Sequence, residues 1–200
     1  MCGIGLVVWI RKDSEIKILN ESSLKETEKL ESIENERLEE LLEETLKRRG
    51  NDLSKKETIQ INENIKITLF GTLLSLRGDQ MVGLPYKDSE GNVLCWNGEI
   101  FSGEIDVEEN QNDTQVLAEK LKASEEILEC LEGVDGPYSF IYFHKKTNKI
   151  FISRDLFGRR SLVYRLRLKD HQRENKIEEK SQIEQKGFFF IKFKSKNFKI

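Results

Sequence analysis

The amino-acid sequence predicts an α+β domain, because strand-type and helix-type patterns occur in separate blocks along the chain. Apolar runs rich in β-branched and aromatic residues occur near the start, in the middle and towards the end, with helical periodicity between them. Such blocks are typical of layered sheets and helices. A chain of 200 residues can bury a sizeable core, and its composition, 37% hydrophobic and 34% charged, favours a soluble protein.

The first fifty residues combine a strand with a charged helical stretch. Residues 3–10, GIGLVVWI, are apolar and β-branched, which is typical of a buried strand. Over residues 12–49, Leu and Ile recur at roughly helical intervals among Glu and Lys. Ser22 or Ser23 would begin one long helix, or two in series, and Gly50 would end it. The charged residues predict a solvated face.

The centre of the chain predicts two strands followed by two helices. Residues 65–78 form an apolar run, which is one strand or a strand broken at Gly71, and residues 92–101 form another after the turn signal DSEGN. Cap residues and helical periodicity predict helices over 112–123 and 124–134.

The last third predicts mainly strands. Residues 136–155 contain two apolar runs around a Lys-Thr-Asn turn, which indicates a hairpin. Residues 161–168 favour one more strand, and the polar residues 169–186 favour a loop or disorder. Aromatic residues partly alternate with lysines in residues 187–200, which predicts an edge strand.

Composition argues against several classes of function. The formal net charge is −3, so no basic surface for nucleic acid is expected. No apolar run approaches the roughly 20 residues that cross a bilayer, and no basic n-region opens a signal peptide. We therefore expect a cytoplasmic protein that contacts no membrane. Cys2, Cys95 and Cys130 form no CxxC pair, which argues against a disulfide framework or a zinc site. We expect no metal and no organic cofactor.

Cys2 directly follows the initiator methionine, and removal of Met1 would leave a thiol and a free α-amine on one residue. An α-amine has a pKa of about 7.7–8.0, close to the value of about 8.5 for a thiol. It could therefore take the thiol proton, as an N-terminal nucleophile requires. The alternative is that Cys2 is a small residue opening a buried strand. A Cys–His dyad would have to use His144 or His171, the only histidines.

Five short stretches together resemble a known family: MCGI at the start, RRGND (48–52), WNGEIFSG (96–103), NDTQ (112–115) and RDLFGRRSL (154–162). In this order they resemble the class II glutamine amidotransferase domain of the asparagine synthetase family, in particular its asparagine-synthetase-domain-containing members. The resemblance implies an N-terminal-nucleophile hydrolase fold, an αββα sandwich of two stacked antiparallel sheets with outer helices. It also implies hydrolysis of L-glutamine to glutamate and ammonia through a thioester.

The resemblance assigns catalysis to three residues. Cys2 would attack the substrate, and Asn97 and Gly98 would form the oxyanion hole. A side-chain amide N–H and a backbone N–H would then point at the developing negative oxygen. Loss of one such donor typically lowers the rate by about 10²–10³. The alternative for Asn97-Gly98 is a tight turn after a strand.

The same resemblance assigns substrate binding to three further residues. Arg77 would hold the α-carboxylate of glutamine, which suits the fork of a guanidinium. Asp113 would face the α-ammonium, with Glu99 nearby. From the residues alone, Asp113 could instead be a helix N-cap, and the Arg-Gly-Asp sequence that begins at Arg77 could be an ordinary turn.

Five residues would have architectural roles by this resemblance. Arg49, Gly50 and Asp52 would shape the wall of the glutamine pocket, in a loop where the family has proline in place of the asparagine of RRGND. Arg154 and Asp155 would connect the last hairpin to the sheet.

The expected domain organisation departs from that of the family. We expect an amidotransferase domain over residues 2–168, with a charged helical extension at about 13–47, and a polar linker with a divergent tail or last strand over 169–200. No Ser-Gly-Gly-x-Asp-Ser loop for ATP is present. Asparagine synthesis would therefore need a partner chain or a longer isoform that carries the ATP and aspartate domain. The alternatives are a scaffold or regulatory module of low activity, a truncated product of a larger protein, or a product that does not fold stably.

Overall fold

A computed structural model describes residues 2–10, 33, 36–50, 52–63, 65–73, 81–124, 126–160, 162 and 189–192 of the protein. The chain divides into two compact units. The first comprises Met1–Leu76 and Gly83–Pro85, and the second comprises Arg77–Val82 and Tyr86–Ile200. Antiparallel sheets and helices occur along the described residues, which confirms the α+β class. The stacking of two sheets in an αββα sandwich stays a prediction, as do the domain boundaries at 168 and 169.

The first unit contains a three-stranded antiparallel sheet and a helix. Its strands are β1 (Gly3–Ile10), β2 (Leu53–Asn62) and β3 (Ile65–Leu73), in the order β1-β3-β2. The helix, α1, contains the helical residues 36–47. β1 confirms the first predicted strand, and α1 confirms the later part of the predicted charged helix. The expected helix starts, Ser22 and Ser23, lie outside the described residues.

α1 contacts the sheet where β1 has glycine. A Cβ added to Gly3 would lie 2.7 Å from Thr72 Oγ1 and 3.0 Å from Leu46 Cδ2. The helix therefore approaches the strand more closely than a larger residue would permit. Leu46 is buried, whereas Leu38 and Leu41 on the same helix are exposed. Only part of the apolar pattern of α1 is used for packing within the described residues.

The sequence does not predict β2. Its residues, LSKKETIQIN, are all exposed or half-buried, and the strand pairs with β3 at an edge of the sheet. Charged side chains on an edge strand discourage edge-to-edge association. The same charges weaken the hydrophobic signal by which a strand is recognised in a sequence.

The alternative of a strand broken at Gly71 is wrong, because β3 runs without interruption through this residue. Glycine serves close packing here instead. A Cβ added to Gly71 would lie 2.5 Å from the backbone carbonyl carbon of Leu84. The predicted continuation of the strand over residues 74–78 lies outside the described residues.

The second unit carries the remaining described elements: β4 (Tyr86–Lys87), β5 (Val93–Gly98), β6 (Ser102–Gly103), α2 (Asp113–Ala123), α3 (Ile127–Glu132), β7 (Val134–Asp135), β8 (Tyr138–His144), β9 (Lys149–Arg154) and β10 (Phe189–Lys192). Five of the strands form an antiparallel sheet in the order β10-β9-β8-β5-β4, and β6 pairs with β7. Among the described residues, no helix has the length and hydropathy needed to cross a membrane.

Most predicted elements of this unit are confirmed. β5, α2 and α3 lie within the predicted ranges, and β8 and β9 form the predicted hairpin. Asn148 in the hairpin turn has a φ of 50°, a conformation that asparagine tolerates. β10 pairs with β9 at the edge of the sheet, as the end of the chain predicts. Apart from Leu162, the strand expected at 161–168 and the loop expected at 169–186 lie outside the described residues.

The five-stranded sheet is buried on both faces along β5 and β8. On one face Trp96 and Phe140, which are paired across the two strands, join a core with α2 and α3. On the other face the next pair, Cys95 and Ile141, is also buried. A strand end between two buried faces can hold polar side chains away from water.

Candidate active site

Two polar residues interrupt the second, otherwise apolar face of β5 and β8. Asn97 and Ser139 lie directly opposite each other in the β5–β8 register, so their side chains share this face. Asn97 is 4% exposed and Ser139 is fully buried. Ser139 Oγ has no hydrogen-bond partner among the described residues. Because buried polar groups are normally paired, an unpaired hydroxyl beside a buried amide marks a candidate functional site.

Gly98 follows Asn97 at the end of β5, where the neighbouring backbone leaves no room for a side chain. An added Cβ would lie 2.6 Å from the Pro137 carbonyl oxygen and 2.6 Å from Tyr138 Cβ. The strand does not turn back at this point, because the Glu99 N–H continues the contact and donates to the Pro137 oxygen at 3.1 Å. The alternative reading of Asn97-Gly98 as a tight hairpin turn is therefore wrong.

The backbone after Glu99 is held by two further hydrogen bonds. The Ile100 N–H donates to Asp113 Oδ2 at 2.8 Å. The Phe101 N–H donates to the Asp135 carbonyl oxygen, also at 2.8 Å. Three consecutive N–H groups are thus fixed, so the Glu99 side chain is attached to a rigid stretch of backbone.

Asp113 lies in the first turn of α2 and is buried. The N-cap is Asn112, whose side-chain oxygen accepts the Thr114 N–H at 3.0 Å. The alternative that Asp113 caps the helix is therefore wrong. Its carboxylate instead accepts from Ile100, the residue next to Glu99. The structure thereby brings two predicted substrate-binding acids, Asp113 and Glu99, to the same stretch of backbone.

Asp155 fastens the start of β8 to the loop that follows β9. Its buried carboxylate accepts the Tyr138 N–H at 3.2 Å and the N–H groups of Phe157, Arg159 and Arg160 at 3.1, 3.2 and 3.4 Å. Burial alone would raise the pKa of Asp155, but these four N–H groups together hold it below its usual value. Asp155 thus joins the start of β8 to the loop after β9, and the role that the resemblance gives to it and to Arg154 stays a prediction.

The neighbouring Arg154 is exposed, and its guanidinium lies over Gly158. A Cβ added to Gly158 would lie 3.0 Å from a terminal nitrogen of Arg154. Gly158 has a φ of +64°, which permits the loop to turn here.

Arg160 is a site residue that the sequence does not single out. Its Nη2 lies 2.9 Å from Glu99 Oε1, in a half-buried ion pair that joins residues 61 positions apart. The third arginine of RDLFGRRSL is the only signal for it in the sequence, and a charged residue in a loop is usually a solvated one. The structure brings Glu99, Asp113, Asp155 and Arg160 together around the end of β5.

The first unit carries Cys2 and the predicted residues of the RRGND loop. Cys2 is half-buried and immediately precedes β1. The Gly3 N–H donates to Thr72 Oγ1 at 3.0 Å, and this hydroxyl is also 2.9 Å from the Leu46 carbonyl oxygen. The residue after the candidate nucleophile is therefore anchored to β3. Arg77 lies outside the described residues, so its predicted contact with a carboxylate stays a prediction.

The RRGND loop is fixed by backbone packing. Gly50 is buried, and an added Cβ would lie 2.8 Å from the carbonyl carbon of Leu73. The Asp52 N–H donates to the Leu73 carbonyl oxygen at 3.1 Å, whereas the Arg49 side chain is exposed. These contacts fit an architectural role for the loop, and its place in a glutamine pocket stays a prediction.

The other thiols and the described histidine lie in ordinary structural environments. Burial raises the pKa of the Cys95 thiol in β5 far above its usual value, and Cys130 lies in α3. His144 Nδ1 is 2.8 Å from Thr147 Oγ1 in the hairpin, and burial lowers its pKa. Within the described ranges, no three His, Cys, Asp or Glu side chains form a group that could hold a metal ion.

Comparison with known proteins finds a similar domain family. Residues 84–172 match the family described as “Glutamine amidotransferase domain”. This range contains Asn97, Glu99, Asp113 and Arg160. The resemblance drawn from the short motifs is therefore confirmed for this part of the chain.

Individual relatives match a longer part of the chain than the family does. The chain is 43% identical over 122 residues to asparagine synthetase domain-containing protein 1 of Bos taurus, and likewise to that of Homo sapiens. It is 29% identical over 128 residues to a probable glutamine-hydrolyzing asparagine synthetase of Acanthamoeba polyphaga mimivirus. Each match covers 60% of this chain but 19%, 18% and 22% of the respective relative. The chain thus matches about a fifth of the length of these relatives.

Proposed function

We propose that this chain is a glutamine amidotransferase domain that hydrolyses L-glutamine to glutamate and ammonia through a thioester on Cys2. The segment Asn97–Glu99 carries the proposal. It lies inside the matched family range and presents a buried amide, a glycine with no room for a side chain, and a carboxylate held by an arginine. Amide, backbone N–H and carboxylate are the groups that an oxyanion and an α-ammonium would require.

The proposed nucleophile carries its own base. After removal of Met1, the α-amine of Cys2 takes the thiol proton, directly or through water, and the thiolate attacks the γ-carbonyl carbon of glutamine. The carbon–nitrogen bond then breaks, and the nitrogen leaves as ammonia with the proton that the amine has held. Water attacks the thioester, the carbon–sulfur bond breaks, and glutamate and the free thiol result. No histidine is needed for any of these steps.

The Asn97 side chain and the Gly98 backbone N–H would stabilise the tetrahedral intermediate. The buried strand end supports this role, because donors held in a low dielectric interact strongly with a developing charge. Glu99 and Asp113 would orient the α-ammonium of the substrate. Arg77 would bind the α-carboxylate, by the resemblance alone.

We further propose that the ammonia serves glutamine-dependent asparagine synthesis, in a longer protein or with a partner chain in the cytoplasm. The relatives are named for an asparagine synthetase domain, and this chain matches only about a fifth of them. The same fraction favours a second candidate, a module that binds glutamine without turning it over and acts as a scaffold or regulator of the larger protein.

Release of glutamate and ammonia from glutamine by the purified chain tests the proposal. We expect equal amounts of both products, no turnover for Cys2→Ala, and a fall of about 10²–10³ in kcat for Asn97→Ala. Cys130→Ala is the matched control, because it removes a half-buried thiol in α3 and should leave the rate unchanged. A folded chain with a free Cys2 that binds glutamine but releases no glutamate would favour the second candidate.

A further inference from the structure

We propose that Arg160 is a positioning residue that holds the Glu99 carboxylate in the orientation needed for the α-ammonium of the substrate. The inference rests on the proposed function and deepens it by adding a residue from the loop after β9. Neither the motif that contains Glu99 nor the composition of that loop assigns this role to Arg160.

The ion pair has the geometry of a fixed contact. Arg160 Nη2 lies 2.9 Å from Glu99 Oε1, and the side chains are only 17% and 32% exposed. A charge-assisted hydrogen bond of this length, partly shielded from water, is stronger than a pair on the open surface. It engages Oε1, which leaves Oε2 to accept a hydrogen bond from an ammonium group.

Both ends of the pair are attached to rigid backbone. Glu99 follows Gly98 in a segment whose N–H groups are bound by Pro137, Asp113 and Asp135. On the other side, the N–H of Arg160 itself donates to buried Asp155. The guanidinium therefore reaches Glu99 from a loop that cannot easily shift.

The physical effect of Arg160 is to order a flexible side chain before substrate arrives. A free glutamate side chain has several rotamers, and fixing such a side chain on binding lowers affinity by roughly three- to tenfold. Arg160 supplies this order in advance. Its loss should therefore weaken the recognition of a zwitterionic substrate while leaving the chemistry at the thiol unchanged.

The labelling of Cys2 by a diazo-ketone analogue of glutamine tests the inference. For Arg160→Met we expect the half-saturating concentration to rise by about three- to tenfold, with a maximal labelling rate within about twofold of the parent. Arg160→Lys, which keeps the charge, should recover part of the affinity. Alkylation of Cys2 by iodoacetamide, which has no α-ammonium, should be unchanged in both variants.

Arg159→Met is the matched control, because it removes an equal charge from the adjacent position. Arg159 is exposed and pairs with Asp155 at 3.5 Å, whereas the arginine paired with Glu99 is Arg160. Its half-saturating concentration should equal that of the parent. The same thermal midpoint in both Met variants would exclude a loss of folding as the cause of any difference.

Three outcomes would overturn the inference, and they are distinguishable. Saturable labelling of the parent with an unchanged half-saturating concentration in Arg160→Met would reject the role of Arg160 and leave the proposed function in place. No saturable labelling of Cys2 in a folded parent would reject the proposed function, and the inference with it. Iodoacetamide reactivity that falls in parallel with analogue affinity would show a general structural role and also reject positioning.

Discussion

The two units hold their motif residues by different physical means. In the second unit, the acids Asp113 and Asp155 are buried and accept backbone N–H groups, so charge-assisted hydrogen bonds fix the chain around the end of β5. In the first unit, the charged residues of RRGND are exposed, and Gly50 is buried against the Leu73 backbone. The motif residues of the second unit are held by hydrogen bonds to buried carboxylates. The RRGND loop of the first unit is held by close backbone packing at Gly50.

This difference predicts which substitutions each unit tolerates. Loss of a buried acceptor leaves several donors unsatisfied and cannot be repaired by a small movement. Loss of glycine forces backbone atoms apart, with a cost that depends on whether the neighbour is backbone or a flexible side chain. An exposed charge that lacks these constraints should matter little to stability.

The largest expected effect is that of Asp155→Ala in the second unit. The substitution leaves four backbone N–H groups without their carboxylate, and we expect the free energy of unfolding to fall by about 3–5 kcal/mol. Chemical denaturation measures this change. Asp135→Ala, at an exposed acid of the same unit, should cost less than about 1 kcal/mol. Equal costs for the two would contradict the stabilising role assigned to the buried acceptor.

The pH dependence of stability tests the contribution of the Asp155 carboxylate. Because the folded state lowers the pKa of Asp155, its carboxylate stabilises the fold above its unfolded-state pKa of about 3.9. This contribution is lost as the pH falls through the folded-state pKa. The difference in unfolding free energy between parent and Asp155→Asn should therefore be largest near neutral pH and shrink below about pH 4. A difference that stays constant down to pH 2 would contradict the account.

An intermediate effect is expected from glycine in the first unit. Gly71→Ala places a methyl group 2.5 Å from the Leu84 backbone, and we expect a loss of about 2–3 kcal/mol in unfolding free energy. In Gly83→Ala the new methyl group meets the side-chain ends of Leu53 and Lys55, which can move, so the loss should stay below about 1 kcal/mol. A reversed order of the two variants would show that backbone contact is not the controlling factor.

The smallest effect on stability is expected from the exposed charge of Arg49 in the RRGND loop. Arg49→Ala should change the unfolding free energy by less than about 0.5 kcal/mol, because the side chain is exposed. Thermal unfolding measures this change. A loss of unfolding free energy above 1 kcal/mol would show that the Arg49 side chain makes stabilising polar contacts, and it would remove the contrast between the two units.

The sequence predicts those elements whose signal is local. β1, α2 and the β8–β9 hairpin follow from apolar runs, cap residues and turn residues that lie close together in the chain. β2 has no such signal, since its charged residues suit an edge strand and resemble a loop. Gly71 carries a misleading signal, because a glycine in a strand can mark a break or a close approach. Only the contact with Leu84 distinguishes the two.

The same distinction applies to the candidate site. Asn97, Gly98, Glu99 and Asp113 come from short motifs, and the structure brings Glu99 and Asp113 to one stretch of backbone. The pair between Glu99 and Arg160 depends on the path of the chain over 61 residues, which no local pattern encodes. The roles of these residues in catalysis and binding stay predictions.

The most direct test of the central claim is the intact mass of the purified protein before and after incubation with the diazo-ketone analogue. The account predicts loss of Met1 and one adduct on Cys2 that excess glutamine prevents. Cys95 serves as an internal reference, because burial raises the pKa of its thiol and should keep it unlabelled. A retained Met1, or an unreactive Cys2 in a folded protein, would contradict a glutamine-hydrolysing function.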